Sequence, residues 1–517
     1  MFIDGRTLPP DETLDADLCI IGAGAAGLSL IHGLAGRGLR ILLLESGGVA
    51  DTHALAHLNA GASNHPDYPF QATRARGFGG TTARWTGACI PLDPVDFTAR
   101  RWLAHSGWPI TAQDLAPYYT AAMEIYGLPM EAADQAVPGP LGQGDLRQKT
   151  VWFSTPLNLA QRFRGKVEKD HAIRCVLHAT VTELATDQTG LSVQRARLAL
   201  PGGKKAVVTA KAFVLATGGI ENARLLLNSR DGHENGLGNA HDVVGRYHME
   251  HPIRALGTFG IGAGKDMVLP FTNRTRSDGT GSEQTFGLSP DLRDREQLLD
   301  LHIRLFRYSP AEAHPSVVAA KTVAARSDWR KLGGYIRKNA RHVPTTVLPY
   351  LGWHLRNKLW QTARFDHVRL TAFVEQDPDP ANRITLSEDR DAHGMRLPHL
   401  RLHDSAQMTD SIARSMVFLE QDLARRGIGQ LQRDPAALGH LAHYSKYGLH
   451  QMGATRMSDA PRFGVVDRNL RVHGLTNLFI SGSSVFTTGG AANPTLTISA
   501  LSLRLAEHLP RIIGKLG

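Results

Sequence analysis

The chain has 517 residues, 42% of them hydrophobic, 21% charged and 7% aromatic, with a formal net charge of +10. At roughly 100–200 residues per domain this is too long for one simple core and points to two or more joined domains. The composition excludes wholesale disorder, collagen and coiled coil. Three scattered cysteines (Cys19, Cys89, Cys175) exclude a disulfide framework or cysteine-rich zinc site, so a reducing compartment is expected.

The N-terminal stretch MFIDGRTLPPDETLDADLCIIG lacks a basic run followed by an apolar stretch and a small-residue cleavage site, so no secretory signal is expected. No segment reaches about 18 consecutive apolar residues, so no spanning helix is expected either. The sequence reads as soluble and cytoplasmic.

Residues 17–22 predict a short buried strand ended by glycine. Gly22-Ala23-Gly24-Ala25-Ala26-Gly27 follows, then apolar positions at helical spacing up to Gly36 and Gly38, then a second strand from Arg40 to Leu44 that ends at Glu45. The first glycine permits a tight turn, the second lets a pyrophosphate approach the backbone, and the third lets helix pack on strand. The helix N-terminus adds partial positive charge for phosphates, and Glu45 is placed to accept hydrogen bonds from ribose hydroxyls. This unit predicts a dinucleotide site at Gly22, Gly24, Ala25, Ala26, Gly27, Glu45 and Ser46. NAD and FAD both remain open here, because they share the ADP moiety.

Three later segments carry a family resemblance. Gly77-Phe78-Gly79-Gly80-Thr81-Thr82-Ala83-Arg84-Trp85 is similar to the glycine-rich flavin loop of the glucose–methanol–choline oxidoreductases. Phe213 to Gly219 resembles that family's second flavin-associated strand and turn. Asn477 to Phe486 followed by Gly489 to Thr497 resembles its C-terminal signature. The resemblance implies FAD, with contacts from Gly79, Gly80, Thr81, Thr82, Arg84 and Trp85. Further contacts are implied for Ala216, Thr217 and Gly218, and for Gly482, Ser483, Asn493, Pro494 and Thr495.

The architecture so implied is α/β (α+β overall), a Rossmann-like FAD-binding domain with an inserted, mostly antiparallel-sheet substrate domain. Residues 1–100, 160–250 and 450–517 are expected to form the first, and 101–159 and 251–449 the second. Two departures from the family pattern matter. Gly482 stands where many members carry an aspartate, so backbone N–H groups and Ser483 or Ser484 would have to replace it. Arg84 stands where some members carry a histidine bonded to the flavin, so non-covalent FAD is expected.

Gly448-Leu449-His450-Gln451-Met452-Gly453-Ala454-Thr455-Arg456-Met457 resembles the family motif that holds the active-site histidine. The resemblance makes His450 the base and Asn493 the second catalytic position. A neutral imidazole accepts a hydroxyl proton near neutral pH, and an asparagine amide can hold the substrate oxygen. His248 and His251 have tempting spacing for a metal, but nothing else in the sequence supports one and no metal site is expected.

Between Lys321 and Arg364 lie ten basic residues and one acidic one, Asp328, so this span carries most of the net charge. Within the excursion 313–365, Trp329, Trp353 and Trp360 sit among the cations. A solvated face is the default reading. An interfacial segment with tryptophans at headgroup depth, or an acidic partner, are the others. Nucleic acid is not expected, since no binding fold accompanies the charge.

The expected function is FAD-dependent oxidation of an alcohol to a carbonyl, by hydride transfer to flavin N5. The active-site pair resembles the pyranose and cholesterol oxidase branches, and a secondary hydroxyl of a sugar or glycoside is the leading substrate. A lipid alcohol at a membrane surface, or a non-redox lyase reaction on the same fold, are the alternatives. The electron acceptor is open between oxygen and a quinone-like molecule, and peripheral contact at the inner face of the membrane through 321–364 is a further expectation.

Overall fold

The apolar run before Gly22 is the end of a longer strand, Glu12–Ile21, whose last four residues are all buried. It has parallel neighbours on both sides, with Cys19 beside Leu42 of Ile41–Leu44 and beside Phe213 of Lys205–Leu215. A strand covered on both faces loses its alternation and reads as a continuous apolar run, as this one does. The computed structural model describes the chain except residues 51–52, 66–67, 130–143, 155–157, 262–267, 269–270, 272–273, 278–279, 326–331, 361–363, 435–448 and 517.

The sheet runs in the order Phe2–Asp4, Ile173–Leu177, Ile41–Leu44, Glu12–Ile21, Lys205–Leu215, Val193–Ala199, Thr180–Thr186. The C-terminal strand Leu478–Ile480 returns to pair in parallel with Lys205–Leu215. Helix Ala25–Leu34 packs against the C-terminal helix Thr495–Leu516 so tightly that a Cβ at Gly33 would lie 2.7 Å from the Cβ of Ala506. Ser29 Oγ donates to Ser499 Oγ across that contact (2.8 Å).

A second sheet is antiparallel throughout, in the order Gln432–Arg433, Ile253–Gly260, His367–Val374, Leu301–Tyr308, Thr280–Leu288, Leu146–Phe153, Ala88–Cys89. Its alternating burial at His367–Val374 follows the pleat. The chain is an α/β protein, as the family resemblance implies.

Two segments fall elsewhere than the sequence reading drew them. Helix Ala112–Tyr126, within the span 101–159 assigned to the substrate domain, packs on the C-terminal helix, and the Tyr126 hydroxyl lies 2.6 Å from Ser499 Oγ. Ala88–Cys89, within the span 1–100, is an edge of the antiparallel sheet. Helical periodicity tells that a face is buried but not against which core.

Candidate active site

Four loops meet at the carboxyl ends of the parallel strands, where open α/β sheets place their ligands. They follow Ile21, Leu44, Leu215 and Ile480. Gly22 turns with φ of +108°, and a Cβ there would lie 2.5 Å from Ala216 O, so only glycine lets the first and third loops touch. The loop at Gly79 and Gly80 joins them: Gly79 N–H donates to Ala23 O (2.9 Å), and a Cβ on Gly80 would lie 2.7 Å from Gly24 Cα. Helix Ala25–Leu34 thus begins under two bare glycine backbones, with its unbonded first N–H groups free for an anion.

These loops surround one elongated cavity of about 510 Å³. Gly22, Gly24, Ala25, Ala26, Glu45, Ser46, Thr217 and Gly218 line it near the helix terminus. Gly80, Thr81, Thr82, Arg84, Trp85, Ala216, Gly482, Ser483, Pro494 and Thr495 line it too, as do His450 and Asn493. Gly27 and Gly79 lie behind the lining: a Cβ at Gly27 would sit 2.0 Å from Gly22 O, so this glycine serves helix–strand packing.

The residues fit a dinucleotide flavin. Next to a would-be Cβ of Gly24 the nearest atom is 3.9 Å away, so the second glycine leaves open space where a pyrophosphate would approach. Glu45 is buried; its carboxylate takes the N–H of Ala23 (3.0 Å) and of Gly47 (2.8 Å), leaving lone pairs for ribose hydroxyls. Burial pushes its carboxyl up, partly offset by those hydrogen bonds.

Two hydroxyls are already committed. Ser483 Oγ donates to Gln451 O (2.6 Å), and Ser484 Oγ accepts from Asn222 (2.9 Å) and Thr455 (2.7 Å). Ser484 is buried and does not line the cavity, whereas Gly482 and Ser483 do.

His450 and Asn493 are brought together by backbone pairing that no local pattern announces. Gly453, Thr455 and Met457 N–H donate to the carbonyls of Ser483 (3.1 Å), Ser484 (2.8 Å) and Val485 (2.9 Å). On its other side the same segment exchanges two hydrogen bonds between Met249 and Met452 (3.0 and 2.9 Å). That second pairing sets His251 against His450.

The result is a chain of polar contacts with a fixed direction. His251 Nε2 is 2.9 Å from Gly490 O, and a carbonyl only accepts, so Nε2 carries the proton. The Nδ1 of a neutral His251 is then an acceptor, and it lies 2.8 Å from His450 Nδ1, which donates. His450 Nε2 is left with its lone pair, beside Asn493 Nδ2 at 3.2 Å. Burial, with the neighbouring His251 and His302, holds His450 well below the usual imidazole range, and burial lowers His251 as well. Both rings are neutral at physiological pH.

His251 was visible in the sequence as half of a His-x-x-His pair, where it suggested a metal. The two histidines engage different partners: His248 lies 3.7 Å from Glu250, while His251 turns to His450. Gly490, which anchors His251, is itself backed by Asp96; a Cβ at Gly490 would lie 2.4 Å from that carboxylate. Asp96, Asp93 and Asp300 converge, with Arg293 2.7 Å from Asp96 and Lys149 2.7 Å from Asp93, so cations of the protein occupy the space between them. Arg304 and Phe373, from adjacent antiparallel strands, also line the cavity, and Phe373 stacks on His450. Neither belongs to a motif; only strand alternation could have placed them.

The family description FAD dependent oxidoreductase matches residues 17–355, and that of GMC oxidoreductase, for its C-terminal domain, matches residues 378–502. The chain is 26% identical to the fructose dehydrogenase large subunit of Gluconobacter japonicus, over 96% of this chain and 98% of that protein. It is 25% identical to 2-methyl-1,2-propanediol dehydrogenase of Mycolicibacterium austroafricanum, over 98% and 96%. A fungal aryl-alcohol oxidase shares the fold with a TM-score of 0.59 at 15% identity, covering 98% of this chain and 99% of that one.

Proposed function

Since this chain belongs to the FAD-dependent oxidoreductases and ends in a glucose–methanol–choline oxidoreductase domain, we propose that it oxidises a secondary hydroxyl of a sugar or glycoside to the ketone. That it is an FAD-dependent enzyme acting on alcohol groups is the premise; the substrate and the residue roles are the proposal. The observation that carries the roles is the unprotonated Nε2 of His450 facing the cavity beside Asn493.

When bound, FAD supplies the acceptor for the hydride leaving the alcohol carbon. His450 Nε2 takes the hydroxyl proton, and the positive charge that develops is shared through Nδ1–H to His251. Asn493 Nδ2 has a second hydrogen for the substrate oxygen, which holds the alcohol in place while the proton moves. Phe373 shields one face of the imidazole from water.

Polar donors from Arg304, Gln451 and Asn493 line the same cavity, which suits a substrate with several hydroxyls. Two similar proteins are named for fructose and a 1,2-diol. Non-covalent binding of FAD is part of this reading: among the described lining residues there is no cysteine or tyrosine, and the lining histidine, His450, keeps its Nε2 lone pair for the substrate proton. Oxygen or a quinone-like molecule is left as the acceptor that would take the electrons from FAD. The three cysteines are buried and unpaired, which supports the cytoplasmic assignment, with the basic span 321–364 as the point of membrane contact.

Anaerobic addition of sugars, glycosides, polyols and lipid alcohols tests the reading. A sugar that bleaches the flavin and gives the ketone supports it. Bleaching only by lipid alcohols would overturn the substrate, and turnover without bleaching would mean a lyase. Acid denaturation should release the yellow colour into the supernatant.

A further inference from the structure

The excursion between strands Leu301–Tyr308 and His367–Val374 contains helix Leu348–Trp360. Its inner side is fixed: Tyr350 is buried with Val317 and Val347, Trp353 stacks on Tyr350, and Trp353 Nε1 donates to Arg364 O (2.8 Å). Leu348, Leu351, Leu355 and Leu359 are spaced by three, four and four residues, so at 3.6 residues per turn they form one stripe opposite Tyr350 and Trp353. Their exposures are 56%, 43%, 52% and 60%. Four leucines in line, each about half exposed, are not the scattered apolar residues of an ordinary surface.

Exposed cations flank the stripe. Arg356 and Lys358 fall on its two sides, and Arg337, Lys338, Arg341 and Arg364 are exposed within the same excursion. We infer that helix Leu348–Trp360 is an interfacial anchor, which lays its leucine stripe into the headgroup boundary of an anionic bilayer while the flanking cations meet lipid phosphates. A second copy of this chain fits worse, because it would set like charges against one another. Trp353, which the sequence placed at headgroup depth, instead faces inward; Trp329 lies outside the described residues, as does the Trp360 side chain. No described helix is long and apolar enough to cross a membrane.

The strands that hold the ends of the excursion pair at Tyr308 and His367, and the same two strands carry Arg304 and Phe373 to the cavity. Anchoring therefore acts on the outer end of the cavity wall. It rests on the membrane contact proposed for 321–364 and narrows it to one helix, but requires nothing of the flavin chemistry, which flavin bleaching by substrate tests separately.

Sedimentation of the flavin-loaded protein with vesicles tests it, using phosphatidylcholine alone and phosphatidylcholine with roughly one-third phosphatidylglycerol. Wild type should pellet with the anionic vesicles at low salt. The variant Leu351→Ser/Leu355→Ser/Leu359→Ser should lose about a hundredfold or more in partitioning, and Arg356→Gln/Lys358→Gln about fivefold per charge. Leu355→Cys carrying an environment-sensitive dye should shift to the blue on binding; the native thiols are buried and do not compete. Flavin absorbance reports that each variant is folded. Wild type left in the supernatant at low salt would overturn the inference. So would a leucine variant that pellets like wild type, a dye that does not shift, or a concentration-dependent dimer abolished by the serines.

Discussion

Replacing His251 separates its role from that of the base it touches. His251→Ala removes the acceptor of His450 Nδ1–H, at 2.8 Å in the native protein, and frees His450 to carry its proton on Nε2, where it cannot accept another. A hydrogen bond to a charged partner contributes about 1.5–3 kcal/mol, and the partner here becomes charged as the substrate proton arrives. At about 1.4 kcal/mol per factor of ten, flavin reduction should slow by roughly 10- to 150-fold, with substrate affinity little changed. His450→Ala should cost more, about 10²–10⁴-fold, because it removes the base itself. His251→Asn supplies an oxygen near the position of Nδ1 and should recover part of the loss. Stopped-flow reduction under anaerobic conditions reads all three. If His251→Ala reduces its flavin within twofold of wild type, or if asparagine is no better than alanine, the proton direction derived from Gly490 is wrong.

Glu45→Ala should weaken FAD by roughly tenfold or more and also lower the thermal midpoint, since two buried N–H groups lose their acceptor; equal midpoints would mean those hydrogen bonds contribute nothing. Gly80→Ala, which puts a Cβ 2.7 Å from Gly24 Cα at a φ of +55°, should cost about 1 kcal/mol or more and loosen the flavin, as denaturation and flavin titration would show. Burial lowers His302 to about 3, so the unfolded chain takes up a proton below its ordinary value of about 6.5 while the folded protein does not. Its contribution is therefore complete above pH 6.5 and lost as pH falls toward 3, at about 1.4 kcal/mol per pH unit. His302→Gln should remove about 2 kcal/mol of the difference in unfolding free energy between pH 6.5 and 5; an unaltered pH slope would contradict this.

The dinucleotide unit was legible because its constraints are local. Gly22 is needed for a turn that any reader of the sequence can locate, and Glu45 ends the next strand, 23 residues on. His450 and Asn493 were legible only through motif resemblance, since they lie 43 residues apart and meet through backbone pairing. His251 was hidden: one histidine among 24, it meets a partner 199 residues away, and its spacing from His248 gave no hint of that partner. The choice between Ser483 and Ser484 was open in the sequence, because a hydroxyl in a signature does not reveal which way it faces; Ser483 lines the cavity, while Asn222 and Thr455 bond to Ser484 in the interior. In the excursion the cations were plain, but which residues met solvent was not: Tyr350 and Trp353 hold one side of the helix, leaving the leucines outside.

The pairing of the two ends of the chain has a consequence for biosynthesis. Ser29, in the first helix, bonds to Ser499, 470 residues later, and the strand that completes the parallel sheet begins only at Leu478. A ribosome adding about 5–20 residues each second therefore holds the glycine loops in an unfinished state until Leu478–Ile480 has been made. His450 and Asn493 emerge more than 400 residues after the Gly22–Gly27 loop they face across the cavity, and closing contacts of such long sequence separation is slow. A flavin site that needs both segments is complete only once Thr495–Leu516 has been made, and a chain cut short before Thr495 would leave the apolar face of Ala25–Leu34 uncovered.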